Sequence, residues 1–183
     1  MRTLKLQTQV SIDGYMSGPN GEMDWMTFGW DDALKQYIGE LTRSVDEIVL
    51  GRKLAEGFIP HWAAIPEGED PQAIAKMNES KKTVFTKTLK ASPWPNTRLA
   101  GGDLAEEITA LKEAPGGDLI AYGGGAFVSA LIEAGLIDEL HLVVNPSSLG
   151  SGMRLFAGRS SFELVNALPF ACGIAVLQYR PKR

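Results

Sequence analysis

Three short stretches of this chain carry residues whose types and spacing suit a phosphorylated nucleotide. The first is DLIAYGGGAFVSALIEAG, residues 118–135. An apolar strand ends in Gly123, Gly124 and Gly125, and Ala126 and Phe127 open a helix at once. Glycines let backbone amides approach a ligand, and a helix N-terminus adds unpaired N–H donors and partial positive charge. A tight turn needs fewer than three glycines, which favours a pyrophosphate over a bare turn. The run is not G-x-G-x-x-G, which argues against an ordinary Rossmann domain. In the second stretch, EIVLGRKLAEGF, a strand ends in Gly51 and the cations Arg52 and Lys53 follow. Cations at a helix start oppose its dipole, so a bound anion or a solvated basic pair explains them equally well. The third is Thr86, Lys87 and Thr88 at a strand end. Two hydroxyls and an ammonium suit a phosphate monoester, although the same triplet is common on surface turns.

A fourth group is aromatic and acidic. The segment SIDGYMSGPNGEMDW and the residues after it hold Asp13, Asp24, Trp25 and Trp30. Indoles can stack on a planar heterocycle, and a carboxylate can bond its N–H edge. Asp13 beside Gly14 also reads as a turn residue, the reading favoured here. His61 and His141 lie far apart, and no H-x-x-x-H or C-x-x-C spacing occurs, so no metal site is expected. His141 is expected to be structural. Cys172 is the sole cysteine, so no intrachain disulfide can form, and it reads as a small buried residue in FACGIAVLQY. No G-x-S-x-G nucleophile elbow is present.

These residues need elements to hold them. Leu4, Leu6, Thr8 and Val10 alternate as one face of a strand. A glycine-rich loop follows, then a helix over ALKQYIGEL capped by Asp31 or Asp32. EIVL predicts a strand, residues 60–71 read as irregular, and Pro71 suits an early position in a helix over QAIAKMNES. TVFT and Arg98-Leu99 read as strands. Asp103 and Glu106 form a capping-box pattern before LAEEITALKE, a helix ended by Gly116 and Gly117. DLIAY and ELHLVV are strands on either side of the helix closed by Gly135. Residues 163–167 and 173–179 add two strands without helices. Alternating strands and helices predict a mostly parallel sheet covered on both faces, and the tail predicts an antiparallel hairpin at its edge.

The 183 residues fit one domain, 1–183, and the net charge of −4 with interleaved signs marks no nucleic-acid face. The N-terminus lacks a signal-peptide core, and no apolar run is long enough to span a bilayer, which gives a cytoplasmic expectation without membrane partners.

In this order the pieces resemble the dihydrofolate-reductase-like superfamily, in the branch of the C-terminal reductase domain of the riboflavin-pathway deaminase-reductase. The resemblance rests on VSIDGYMSGPNGEMDW, IVLGRKLAEGF, VFTKTL, DLIAYGGGAFVSALIEAGLIDELHLVVNPSSLGSGMRLF and the strand near LQYR. It implies a three-layer α/β/α fold with a mixed sheet of about eight strands and NADPH across its carboxyl edge. It places Gly51, Arg52 and Lys53 near the cofactor phosphates, and Thr86, Lys87 and Thr88 at the adenosine 2′-phosphate. Gly123, Gly124, Gly125, Ala126 and Phe127 would cradle the pyrophosphate. Val10, Ser11 and Gly14 would border the nicotinamide. Trp25 matches the tryptophan of the active-site loop, and Asp31 or Asp32 falls near the substrate; with Asp13, Trp25 and Asp32 are the catalytic candidates. Leu54 stands where the family often has threonine, which removes a hydroxyl from the phosphate end. The implied activity is reduction of a heterocyclic or ribosylaminopyrimidine substrate; a homodimer is expected separately, through the apolar GLIDELHLVV region and the C-terminal strands. A pterin or dihydrofolate reductase, and a non-catalytic nucleotide-binding module, are the alternatives.

Overall fold

The computed structural model describes residues 1–123 and 125–182. Its strands and helices follow the chain as β1 (Leu4–Ser11), β2 (Tyr15–Ser17), α1 (Asp32–Thr42), β3 (Val45–Gly51), α2 (Arg52–Ala63), α3 (Pro71–Glu79), β4 (Lys81–Phe85) and β5 (Thr97–Ala100). They continue as α4 (Leu104–Glu113), β6 (Asp118–Tyr122), α5 (Gly125–Glu133), β7 (Glu139–Asn145), β8 (Met153–Arg154), β9 (Phe162–Pro169) and β10 (Ala175–Pro181). Eight strands form one sheet in the order β5-β4-β3-β6-β1-β7-β10-β9. The first six run parallel, and β10 and β9 close the edge as an antiparallel hairpin.

Helices cover both faces, giving three layers. On one face α4 and α5 press Ile108, Leu111, Val128 and Leu131 onto Leu4, Leu6, Leu119 and Leu140. On the other, α2 and α3 pack Ala55, Ile59 and Met77 on Ile48, Leu50, Val84 and Ile120. Beside them α1 sets Leu34 on Val143, Ile174 and Val176. Burying such an aliphatic side chain contributes about 1.5–3 kcal/mol, so these clusters hold the layers together. Among the described residues no helix is long and apolar enough to cross a membrane.

Local chemistry explains the boundaries. Asp31 caps α1 by accepting from the Leu34 amide at 2.8 Å, and Asp103 caps α4 through Ala105 and Glu106. Pro71 opens α3 behind its cap, Asp70. Two expectations are corrected. Residues 60–63 are helical: α2 runs through Pro60, which lies exposed, where water can take the carbonyl left unpaired. It stops where Ile65 enters the left-handed region at φ 53. Helix α4 ends at Ala114, ahead of Pro115, and not at the glycines. Gly117 serves close packing instead, since a Cβ there would lie 2.2 Å from the Ser44 carbonyl oxygen. Strand β1, expected from its alternation, is buried on both faces, because it sits mid-sheet between β6 and β7.

Candidate functional site

All six parallel strands end on one edge, and the residues singled out above collect there in two groups. The first surrounds the N-terminus of α5. Here the helix approaches the strands so closely that side chains are excluded. A Cβ on Gly51 would lie 2.7 Å from the Phe127 Cβ, and one on Gly123 would lie 2.5 Å from the Thr8 Oγ1. Gly125 has φ +37, and a Cβ there would meet the Met153 Sδ at 2.7 Å. The glycines therefore seat α5 against β3 and β1 and leave main chain at its mouth. Ala126 is exposed there, and the Phe127 ring lies 5.1 Å from that of Phe85. Gly124 lies outside the described residues. A bare helix N-terminus of this kind fits a diphosphate.

Next to it a cavity of about 300 Å³ is lined by Phe85, Thr86, Lys87, Ala100, Gly102, Asp103, Leu104 and Phe127. Lys87 Nζ donates to the carbonyls of Gly101 at 2.8 Å and Gly102 at 3.1 Å, tying the ends of β4 and β5 together. An ammonium has three N–H donors, so one remains for a ligand. The Thr86 hydroxyl accepts from the amides of Thr88 and Leu89, both at 3.1 Å, and shapes the turn. Thr88 lies 3.4 Å from it, oxygen to oxygen. Apolar rings, a cation and two hydroxyls suit the adenosine end of a phosphorylated dinucleotide. Arg52 is paired with Glu56 at 2.5 Å, which offsets its charge, while Lys53 is exposed. Of the basic pair, Lys53 is thus the freer cation.

The second group sits at the ends of β1 and β7. Val10 is buried under α5. Ser11 accepts from the Tyr15 amide at 3.0 Å and donates to Asp13 Oδ1 at 2.6 Å. Gly14 turns the chain at φ +85. The Asp13 carboxylate also accepts from the amides of Leu149 at 3.1 Å and Gly150 at 2.7 Å, clasping two loops together. The Ser11 hydroxyl and then the Gly150 amide hold its carboxyl below the usual value, so it is ionised at neutral pH. Trp25 is half-buried, its indole N–H is buried with no partner among the described residues, and its carbonyl accepts from the Ser147 hydroxyl at 3.4 Å. Trp30 packs against α1, and Asp24 is exposed. Asp31 is committed at both oxygens, to Leu34 and to the Cys172 amide at 3.0 Å, whereas Asp32 is exposed in the first turn of α1.

Sequence reasoning missed the polar side chains of the sheet beneath this group. Register places Gln178, His141, Gln7 and Tyr122 in one row across β10, β7, β1 and β6. His141 is buried, bonded through Nδ1 to the Tyr37 hydroxyl at 2.7 Å and through Nε2 to Glu139 at 3.2 Å. Burial, then the Glu139 charge, pushes the Tyr37 phenol up to about 12. Asn145, also buried, donates to Gln9 Oε1 at 2.7 Å. The available signal was positional: in a fold with helices on both faces the first strand lies mid-sheet, so its polar alternates are buried too.

The profile of the RibD C-terminal domain matches residues 2–176. The uncharacterized protein YyaP of Bacillus subtilis (strain 168) is 31% identical over 186 residues, covering 97% of this chain and 94% of its own. The diaminohydroxyphosphoribosylaminopyrimidine deaminase/5-amino-6-(5-phosphoribosylamino)uracil reductase of Thermotoga maritima superposes with a TM-score of 0.70 at 18% identity, covering 99% of this chain and 57% of that one. Dihydrofolate reductase from Enterococcus faecalis, solved with NADP(H), gives a TM-score of 0.63 at 15% identity, over 99% of this chain and 97% of that one.

Proposed function

Because the chain belongs to the RibD C-terminal domain family, we propose that it is an NADPH-dependent reductase of a small heterocyclic or ribosylaminopyrimidine substrate. The observation that carries this reading is the α5 N-terminus, seated by Gly51 and Gly123 with no room for a Cβ, beside the cavity that holds Lys87. The α5 amides would hold the diphosphate, and Lys87 with Thr88 the adenosine phosphate. NADPH, when bound, supplies the hydride. Ser11 and Gly14 would border the nicotinamide, and Trp25 would help exclude water. The chain would contribute chiefly placement of the reacting atoms. Asp13 and Asp31 are committed to amides, so of the acidic catalytic candidates Asp32 is the one left to face a substrate.

The test is fluorescence titration with NADPH, followed by nicotinamide absorbance in the presence of the ribosylaminopyrimidine or dihydrofolate. Binding at micromolar cofactor and turnover of the ribosylaminopyrimidine are expected. No binding at millimolar cofactor would overturn the reading. Turnover of dihydrofolate instead would make the protein a folate reductase, and binding without turnover a nucleotide-binding module. A homodimer is part of the proposal. Strand β9 is an outer strand of the sheet, with Leu164 52% and Val165 42% exposed. Light scattering should give twice the 19.8 kDa chain mass.

A further inference from the structure

Helices α1 and α2 lie on the same face of the sheet but do not cover the same strands. Helix α1 rests on Val143 and Val176 of β7 and β10, and α2 on Ile48, Leu50 and Ile120 of β3 and β6. Strands lie about 4.8 Å apart, so the two helix axes stand roughly 14 Å apart, against about 8–10 Å for helices in contact. That difference leaves room for a groove along β1, about as wide as a planar ring is thick. Its floor is the alternate set Lys5, Gln7, Gln9 and Ser11.

Three of these four side chains are engaged. Lys5 Nζ donates to the Leu41 carbonyl and the Ser44 hydroxyl and pairs with Asp118, which closes the inner end. Gln9 accepts from Asn145, and Ser11 donates to Asp13. Gln7 is 7% exposed, yet its carboxamide bonds to no other described residue. Its neighbour in the row, Tyr122, has a buried hydroxyl with no partner among the described residues, and its ring stacks on Phe58 of α2 at 5.2 Å. A buried hydroxyl left unpaired costs stability. A strand could hold apolar residues there at no such cost, and a ligand bonding Tyr122 and the neighbouring carboxamide would offset it.

Resting on the reductase reading, we propose that Gln7 and Tyr122 form the hydrogen-bonding floor of the substrate groove and that Gln7 sets specificity by pairing with a lactam edge of the planar substrate. A carboxamide offers an acceptor and a donor side by side, the complement of adjacent ring N–H and C=O groups. The Tyr122 hydroxyl adds a donor to a further ring carbonyl. A site built to bond such an edge rejects an analogue in which the N–H is blocked.

The test titrates the parent protein, Gln7→Leu and Tyr122→Phe calorimetrically with 6-aminouracil and with its N3-methyl derivative, with and without saturating NADP⁺. The parent should bind the free-edge compound at least about tenfold more tightly, a preference that Gln7→Leu abolishes and Tyr122→Phe weakens. Both variants should bind NADP⁺ as the parent does. Thermal melting supplies an independent readout: Gln7→Leu should melt no lower than the parent, because it breaks no hydrogen bond to another described residue, whereas a structural glutamine would lower the melting temperature when lost. A preference that survives in Gln7→Leu, or a parent that binds NADP⁺ without telling the two rings apart, overturns the lactam floor alone. A parent that binds no NADP⁺ sinks the reductase reading beneath it.

Discussion

The two halves of the cleft are built from different materials. Around α5 the site is main chain: glycines, a helix N-terminus and a turn shaped by Thr86. Along β1 it is side chain: Gln7, Gln9 and Tyr122 standing on a rigid sheet. Main chain is the same in every protein, so it suits a ligand part common to many enzymes, such as a diphosphate. Side chains on adjacent strands can be exchanged one at a time without moving the backbone, so they suit the part that differs between relatives. The cofactor half should therefore fail through packing, and the substrate half through lost recognition.

The largest effect should come from Gly123→Ala. Its Cβ would lie 2.5 Å from the Thr8 Oγ1, and such overpacking costs about 1–3 kcal/mol. Urea unfolding should show this loss, and NADPH affinity should fall with it. Adding Thr8→Ala removes the clashing oxygen and should restore more than half of the stability. If the double variant recovers stability but not NADPH affinity, Gly123 also faces the cofactor. If it recovers neither, the packing account of this glycine is wrong.

Of intermediate size is Lys87→Met. It removes the ammonium from the cavity and the link between the ends of β4 and β5. NADPH should bind about tenfold more weakly, the equivalent of a charge-assisted hydrogen bond, while NADH binding changes little. Equal loss for both cofactors would mean that Lys87 only braces the strands. The 6-aminouracil preference should persist in either case, because β3 and β6 separate the groove along β1 from β4.

The same contrast governed what the sequence could tell. The glycine run, the Asp103 cap and Pro71 are local signals, each stating its conformation within a few residues, and the parallel order followed from alternation of strand and helix. The floor of the groove was hidden because LKLQTQVS alternates like a strand with one face in water. That Gln7 is buried depends on β6 and β7 lying on either side of it, more than 100 positions later in the chain. Strands β2 and β8 were invisible for a related reason: they are 3 and 2 residues long and pair across the whole chain. The role of Asp13 was half legible. Gly14 beside it announced a turn, but nothing local announced the amides of Leu149 and Gly150.

That clasp gives the smallest expected effect. Asp13 lies in the loop after β1 and holds the 146–152 loop, so it would border the proposed substrate half without touching the proposed diphosphate end. Its folded-state carboxyl is held down by the Ser11 hydroxyl and the Gly150 and Leu149 amides. A lowered value means that the ionised form favours the clasped state. The contribution is complete above the ordinary carboxyl value of about 3.9 and is lost as pH falls through the lower folded value. Neutral and mildly acidic solutions should therefore leave the clasp untouched. Asp13→Ala should lower the hydrogen-exchange protection of the Leu149 and Gly150 amides several-fold at neutral pH, with NADPH affinity little changed. Unaltered protection of those two amides would show that the loop is held by other contacts. A large loss of NADPH affinity would show that the two halves of the cleft are coupled through this loop.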